Sequence, residues 1–294
     1  MIYLLLSIVT ASALNILFKI FGKRKLNLFK VIMVNYVVCF LTGQWFSPSP
    51  VGWAEMTHAT WFTYAAILGV VFIVGFNIIA QTVHYFGITV ATVMQKMSLL
   101  LSVLFAILAF GEPVGIIKVT GLILALGSIL LITYKEKAAA LLHDKANVTH
   151  HWYLPALTFL LSGFIDSTLL YVNKTGIVLP ADDHFITGLF GVAAISAIAY
   201  YLYLRLLGRT SGMQMGELVG GTILGVVNYF SIFFIMRLLQ TGWDGSVIFP
   251  MNNIGVLVLS AVTGIVLFRE HMNRQNHLGL ILALAALIIL GLAT

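Results

Sequence analysis

The chain has 294 residues, of which 60% are hydrophobic and 9% are Asp, Glu, Lys or Arg, and its formal net charge is +6. A soluble surface normally needs about a quarter of its residues charged, so the composition excludes a water-soluble globular protein. It also excludes a nucleic-acid binder that clusters basic residues on a solvated face, and long uninterrupted apolar runs exclude an outer-membrane barrel.

A helical span needs roughly 20 apolar residues to cross about 30 Å of hydrocarbon, with every backbone polar group satisfied inside it. The apolar runs predict such spans at Met1 to Phe21, Leu28 to Phe46, Trp61 to Phe86, Ile88 to Phe110 and Gly115 to Tyr134. Five more follow at Trp152 to Val172, His184 to Leu207, Met215 to Leu239, Ser246 to Phe268 and His277 to Ala293. The connections hold the helix breakers, among them Ser47-Pro-Ser-Pro50, Gly111-Glu-Pro113 and Gly242 to Gly245. The longest charged connection, Lys135 to His151, divides the chain into residues 1–137, a loop at 138–151, and residues 152–294. The first apolar stretch lacks a basic start and a small-residue cleavage site, so it reads as a span and not as a cleaved signal.

Basic residues sit in the loops and report topology. The connections after spans one, five, seven and nine carry Lys23, Arg24, Lys25, Lys30, Lys135, Lys137, Lys145, Arg205, Arg209, Arg269 and Arg274. The opposite side has Lys118, Lys174 and Arg237. The positive-inside rule places the first set in the cytoplasm and both termini outside. The single cysteine, Cys39, lies in the second span and reads as small core packing.

Gly121-Leu-Ile-Leu-Ala-Leu126 returns unchanged as Gly279 to Leu284, and each copy follows a glutamate, Glu112 or Glu270, at the same distance. Both offsets are 158 (270 − 112 and 279 − 121). Further back, Leu5-Leu-Ser7 matches Leu160-Leu-Ser162, with Ser12 against Ser167 and Lys19 against Lys174. The chain is a duplication of five spans. Because five is odd, the second copy enters the membrane inverted. The expected fold is therefore an all-α integral membrane protein of ten transmembrane helices, arranged as two inverted five-helix repeats around a central cavity, which is the plan of a secondary transporter.

On these marks, above all Leu104 to Glu112 with Gly121 to Gly127 and their partners Val258 to Glu270 with Gly279 to Leu284, the chain resembles the drug/metabolite transporter superfamily in its ten-span, EamA-like form. The resemblance covers nearly the whole chain. It implies a basket of helices that exports small metabolites, amino acids or drug-like solutes across the bacterial inner membrane. It also implies cytoplasmic termini, against the charge tally, and the expectation adopted here follows the charges.

Charged groups at membrane depth cost about 2.5–3.5 kcal/mol or more and are candidate functional groups by default. Lys96 lies about three residues before the middle of span four and Asp166 about four past the middle of span six, about 10 Å apart in depth at helical rise. One reading has Lys96 attract a solute carboxylate or phosphate while Asp166 attracts an amine or exchanges a proton. The plainer reading has Lys96 bonded to neighbouring Gln and Asn side chains and Asp166 to Ser162. Gln95 and Asn253 match at the offset of 158, with Asn252 beside the second, and each continues a small-residue stripe at helical spacing: Ser98, Ser102 and Ala109, or Ser260 and Gly264. Such faces point at other helices or at a water-filled cavity. Asn15, Asn35, Asn77, Gln81 and Asn228 are weaker substrate-binding candidates. Tyr36, Tyr171, Tyr229 and Trp243 offer rings to a flat or cationic solute, against the plain alternative of packing. His84, His150 and His151 show no matched ligand spacing, so no metal is expected. Gly216, Gly220, Gly221 and Gly225 form two GxxxG patterns that pack either within the bundle or between copies.

An enzyme needs clustered nucleophiles, carboxylates or metal ligands at depth, and Asp166 is the only clear mid-span carboxylate, so none is expected. A channel needs rings of equivalent polar groups, which the repeat does not provide. A carrier working by alternating access fits best, with no cofactor. Asp166 offers a group for proton coupling, while facilitated diffusion needs none. A phosphosugar or nucleotide-sugar exchanger is the second reading, weakened because phosphate recognition draws on several Arg or Lys forks and only Lys96 lies deep. The expected partners are a small-molecule solute and the lipid bilayer of the bacterial inner membrane, with the protein as a monomer or homodimer and no nucleic acid.

Overall fold

The computed structural model describes residues 1–47, 52–133, 151–179, 182–268 and 273–292, and every element among them is an α-helix. In chain order these are α1 (Ile2–Lys23), α2 (Leu28–Phe46), α3 (Trp53–His58), α4 (Phe62–Met97), α5 (Leu99–Phe110) and α6 (Ile116–Ile132). The second half adds α7 (Tyr153–Lys174), α8 (His184–Leu206), α9 (Met215–Leu239), α10 (Gly245–Phe268) and α11 (Arg274–Gly291). Among the described residues nine helical stretches are long and apolar enough to cross a bilayer. The remaining one, α6, is apolar over 17 residues, about 25 Å at helical rise and just enough to cross. His150, Arg269, Glu270 and the connecting loop up to residue 150 lie outside the described residues.

Predicted and observed bounds coincide for α2 and α9 and differ instructively elsewhere. Helix α11 starts at Arg274, three residues before the predicted His277, because Asn273 caps it: its Oδ1 accepts from the Asn276 amide at 2.8 Å, and Asn276 Oδ1 accepts from the Asn273 amide at 3.0 Å. The loop after α2 holds the short α3, whose Met56 is buried. Spans three and four were expected as separate helices, yet α4 is continuous from Phe62 to Met97 and is followed by α5 after the single residue Ser98. The path is not straight. Thr82 hydrogen-bonds Thr158 of α7 at 2.9 Å, and Leu101 packs on Gly163 of the same helix. Those two points on α7 lie about 7 Å apart along its axis, whereas a straight helix from Thr82 to Leu101 would cover about 28 Å. The chain bends between them.

The helices form two compact units, each drawing on both halves of the chain. The first comprises Met1–Ile73 and Tyr171–Gln240. In it α2 packs along α9 and α8, and α1 packs on α9. The close approach is made by glycine: an added Cβ at Gly225 would stand 2.6 Å from Val38 Cβ and 2.7 Å from the Asn35 carbonyl, and one at Gly221 would meet Val34 and the Val31 carbonyl. Gly216 and Gly220 face Leu26 and Phe21. The GxxxG face of α9 is thus occupied inside the unit. Cys39 is fully buried there, and its thiol donates to the Gly225 carbonyl at 3.2 Å. Gly225→Leu is expected to remove the α2–α9 contact, and detergent-solubilised variant should elute as aggregate in size exclusion; a monodisperse peak at wild-type yield would refute the packing argument.

The second unit comprises Val74–Leu170 and Thr241–Thr294. Its most extensive helix pair is α6 with α11, the two copies of the repeated Gly-Leu-Ile-Leu-Ala-Leu stretch. Their contacts are reciprocal. A Cβ on Gly121 would stand 2.7 Å from Leu290, and a Cβ on Gly279 would stand 2.6 Å from the Ile132 amide nitrogen. The offset of 158 carries Gly121 to Gly279 and Ile132 to Leu290, so one contact is the other with partners exchanged, the mark of a local two-fold relation. Because 121 to 132 ascends one helix while 290 to 279 descends the other, the pair is antiparallel. Leu99 and Leu257, also 158 apart, meet in one buried cluster with Val103 and Ile129.

Candidate functional site

Three lysines inside the helical parts of the chain are held in different ways, and the difference locates the candidate site. Lys30, in the first turn of α2, is 1% exposed; its ammonium donates to Ser211 Oγ and the Gly212 carbonyl, both at 2.8 Å, and pairs with Glu217 Oε1 at 3.4 Å. Glu217 also accepts from the Gln214 amide at 2.8 Å, closing the first turn of α9. Lys118, in the first turn of α6, is 4% exposed and donates to Asp244 Oδ2 at 2.8 Å and Ser246 Oγ at 2.9 Å. Each of these cations is matched by a carboxylate. Among the described residues Lys96 is not: its ammonium donates to Asn253 Oδ1 of α10 at 3.0 Å, a neutral acceptor.

Asp166 of α7 is the charged neighbour that Lys96 senses, and the two interact electrostatically without forming a contact ion pair among the described residues. The Asp166 carboxylate accepts no hydrogen bond among the described residues, Ser162 included. Lys96, Asp166, Asn252 and Asn253 are all half-buried, and all belong to the second unit. Gln95 is exposed, because one residue along a helix turns the side chain by about 100° from Lys96. Its backbone carbonyl accepts from Ser98 Oγ at 2.6 Å, while Ser98 and Ser102 are buried against neighbouring helices. Asn77 is half-buried on α4. Pro250 lies one turn before Asn253 inside α10, and its missing N–H interrupts the backbone ladder there.

The remaining candidates fall in the first unit. Asn35 and Tyr36 are buried on α2, and Tyr36 stacks on Phe190 at 6.1 Å and meets Phe72 edge-on at 6.3 Å. Tyr229 is buried among Phe190, Phe230 and Phe233. Tyr171 packs on Tyr64 at 5.7 Å. Asn228 is half-buried, and its carbonyl accepts from Ser231 Oγ at 2.9 Å; Asn15 is exposed on α1. These tyrosines are core packing in geometry. His151 stacks on Tyr85 at 4.2 Å, and His84 meets the same ring edge-on.

Two arrangements were missed from sequence. Glu112, 6% exposed, accepts from the Gly245 and Ser246 amides at 2.8 and 2.9 Å and from Ser246 Oγ at 2.6 Å, so it caps the N-terminus of α10. Arg237, at the end of α9, forks onto both oxygens of Asp183 at 3.0 and 2.8 Å and lies 4.9 Å over the Phe233 ring. Burial pushes the Asp183 carboxyl above its usual range, and Arg237 opposes that shift. Beside it His184 bridges Asp182 Oδ1 at 2.8 Å and Ser47 Oγ at 3.0 Å. All are charges within a turn of a helix end, and only their pairing was hidden.

Long apolar helices in which Lys30 and Lys118 are paired near helix starts, with Lys96 in the last turn of α4 resting on an amide among the described residues, mark a multi-pass α-helical membrane protein. Residues 1–134 match the EamA-like transporter family. A relative described as an uncharacterized protein, from Haemophilus influenzae (strain ATCC 51907 / DSM 11121 / KW20 / Rd), is 28% identical over 300 residues, covering 98% of this chain and 96% of its own. A solved structure, titled only as the crystal structure of a protein, aligns with a TM-score of 0.75 over 99% of this chain and 96% of that one. At 13% identity that likeness is one of fold alone.

Proposed function

We propose that this protein is an EamA-like transporter, a secondary carrier that exports small zwitterionic metabolites, amino acids among them, across the bacterial inner membrane by alternating access. The observation that carries the reading is Lys96: a cation inside the membrane that rests on the neutral Asn253 while Lys30 and Lys118 are matched by carboxylates. A solute carboxylate suits the ammonium, and an amine suits the Asp166 carboxylate. The reciprocal contacts of α6 and α11 support two repeats, residues 1–137 and 152–294, lying inverted in the membrane. A single deep cation weighs against a doubly charged phosphate ester as solute. In this reading the protein is not an enzyme and uses no cofactor, and Asp166 is the group through which a proton would couple. It works as a monomer or homodimer, with the α9 glycines already engaged inside their own unit.

Counterflow in proteoliposomes tests the proposal. With an unlabelled amino acid trapped inside, uptake of the same labelled amino acid is expected to overshoot its equilibrium level, because a reorienting carrier returns loaded. A monotonic approach to equilibrium for every one of the standard amino acids would exclude a carrier of this solute class.

A further inference from the structure

We infer that Asn253 sets the charge selectivity of the transporter, by holding Lys96 in the empty site as a neutral stand-in for a solute carboxylate and releasing it when that carboxylate arrives. The inference rests on the carrier reading above and deepens it. A lysine ammonium has three donors and no acceptor, and among the described residues Lys96 commits one of them, to Asn253 Oδ1 at 3.0 Å. An amide oxygen keeps the ammonium oriented and partly solvated without cancelling its charge. A carboxylate makes a hydrogen bond roughly twice as strong to the same group, so exchange favours a solute that carries one and disfavours one that does not.

The same chain shows the alternative. Where a lysine is purely architectural, an aspartate stands opposite it, as Asp244 stands 2.8 Å from Lys118. An aspartate in place of Asn253 differs from it by one terminal atom and would convert the Lys96 site into that kind of pair. Asp166 then serves the ammonium end of the solute, and the identity of residue 253 decides whether the carboxylate end is recognised.

The test uses full-length protein in proteoliposomes and three labelled mixtures: the neutral amino acids, the amines left by their decarboxylation, and their N-acetyl acids. Wild type is expected to carry the amino acids. Asn253→Asp should lower kcat/KM for the amino acids and the N-acetyl acids by about tenfold or more, the worth of one charge-assisted hydrogen bond, with the amines spared or improved. Asn253→Leu, which removes the stand-in, should lower KM for the carboxylate-bearing mixtures. Equal losses on all three mixtures in folded Asn253→Asp protein would mean a structural residue and overturn the inference. So would unchanged kinetics in Asn253→Asp when Lys96→Met is inactive, and in that case the carrier reading survives. If Lys96→Met transports as wild type does, the inference falls while the carrier reading stands; if wild type carries none of the three mixtures, the carrier reading falls and the inference with it.

Discussion

Lys96→Met is expected to abolish carriage of amino acids while leaving the yield and melting temperature of the folded protein unchanged or higher. Lys118→Met should do the reverse, losing folded protein first. A charge at membrane depth costs about 2.5–3.5 kcal/mol or more, and only contacts made in the folded protein offset it. For Lys118 those contacts include Asp244 at 2.8 Å, so deleting the cation leaves that carboxylate without its ion partner. Breaking a buried pair from one side typically costs about 3–5 kcal/mol. Among the described residues Lys96 has no contact ion partner to strand: its removal frees the Asn253 amide oxygen, which can take another donor or water, and it relieves the cost of the buried ammonium. The two variants therefore separate function from architecture. Transport by Lys96→Met at wild-type rates would remove Lys96 from the site, and failure of that variant to fold would make it a third structural lysine.

The spans were legible in the sequence because an apolar run of the right length has one stable solution in lipid, and α2 and α9 begin and end where such runs meet polar residues. The path through α4 was not. From Phe62 to Met97 the chain holds no proline and only scattered glycines, so helical periodicity is unbroken, and a bend is visible only through two contacts on α7, Thr158 and Gly163. The repeat offset was also a partial guide. It singled out Gly121 and Gly279, which meet Leu290 and Ile132 of the opposite helix, the same contact with partners exchanged. It matched Gln95 with Asn253, whereas the side chain that reaches Asn253 is Lys96. An offset reports equivalence under the repeat, and equivalent residues meet only where the helices cross.

Charges near helix ends carried a similar ambiguity. Lys30 and Lys118 were counted as loop charges that report topology, and both are buried in the first turn of a helix. Their partners, Glu217 and Asp244, lie far along the chain, and no local pattern joins them. The aromatic candidates Tyr36 and Tyr229 failed to separate from packing for a different reason: with 12% aromatic residues, ring contacts are what a lipid-soluble core is made of, and Phe190 touches both. The candidate site was legible at Lys96, Asp166 and Asn253 because charges and amides are rare inside spans.

Glu112→Ala is expected to be the most destabilising single substitution at a helix end, and the reason begins in the tripeptide Gly111-Glu112-Pro113. Gly111 closes α5 in the left-handed region at φ 63°, which an L side chain rarely adopts, and the chain then turns so that Glu112 faces the first amides of α10. Its carboxylate takes the Gly245 and Ser246 N–H groups and the Ser246 hydroxyl, three donors that lipid cannot satisfy, at the positive end of the helix dipole. Alanine would orphan all three. A loss of about 3–5 kcal/mol follows, or a melting temperature lower by roughly 10 °C. Glu112→Gln keeps one acceptor oxygen but turns an NH₂ group toward donors, so it should fall between alanine and wild type. Glu55→Ala is the control: Glu55 also accepts a backbone amide, from Gly52 at 3.3 Å, but in water, where the amide finds another partner at once. If the melting temperatures of Glu112→Ala and Glu55→Ala agree within error, the repeated glutamate is not what holds α10 in place, and the reason for its recurrence at position 270 must be sought elsewhere.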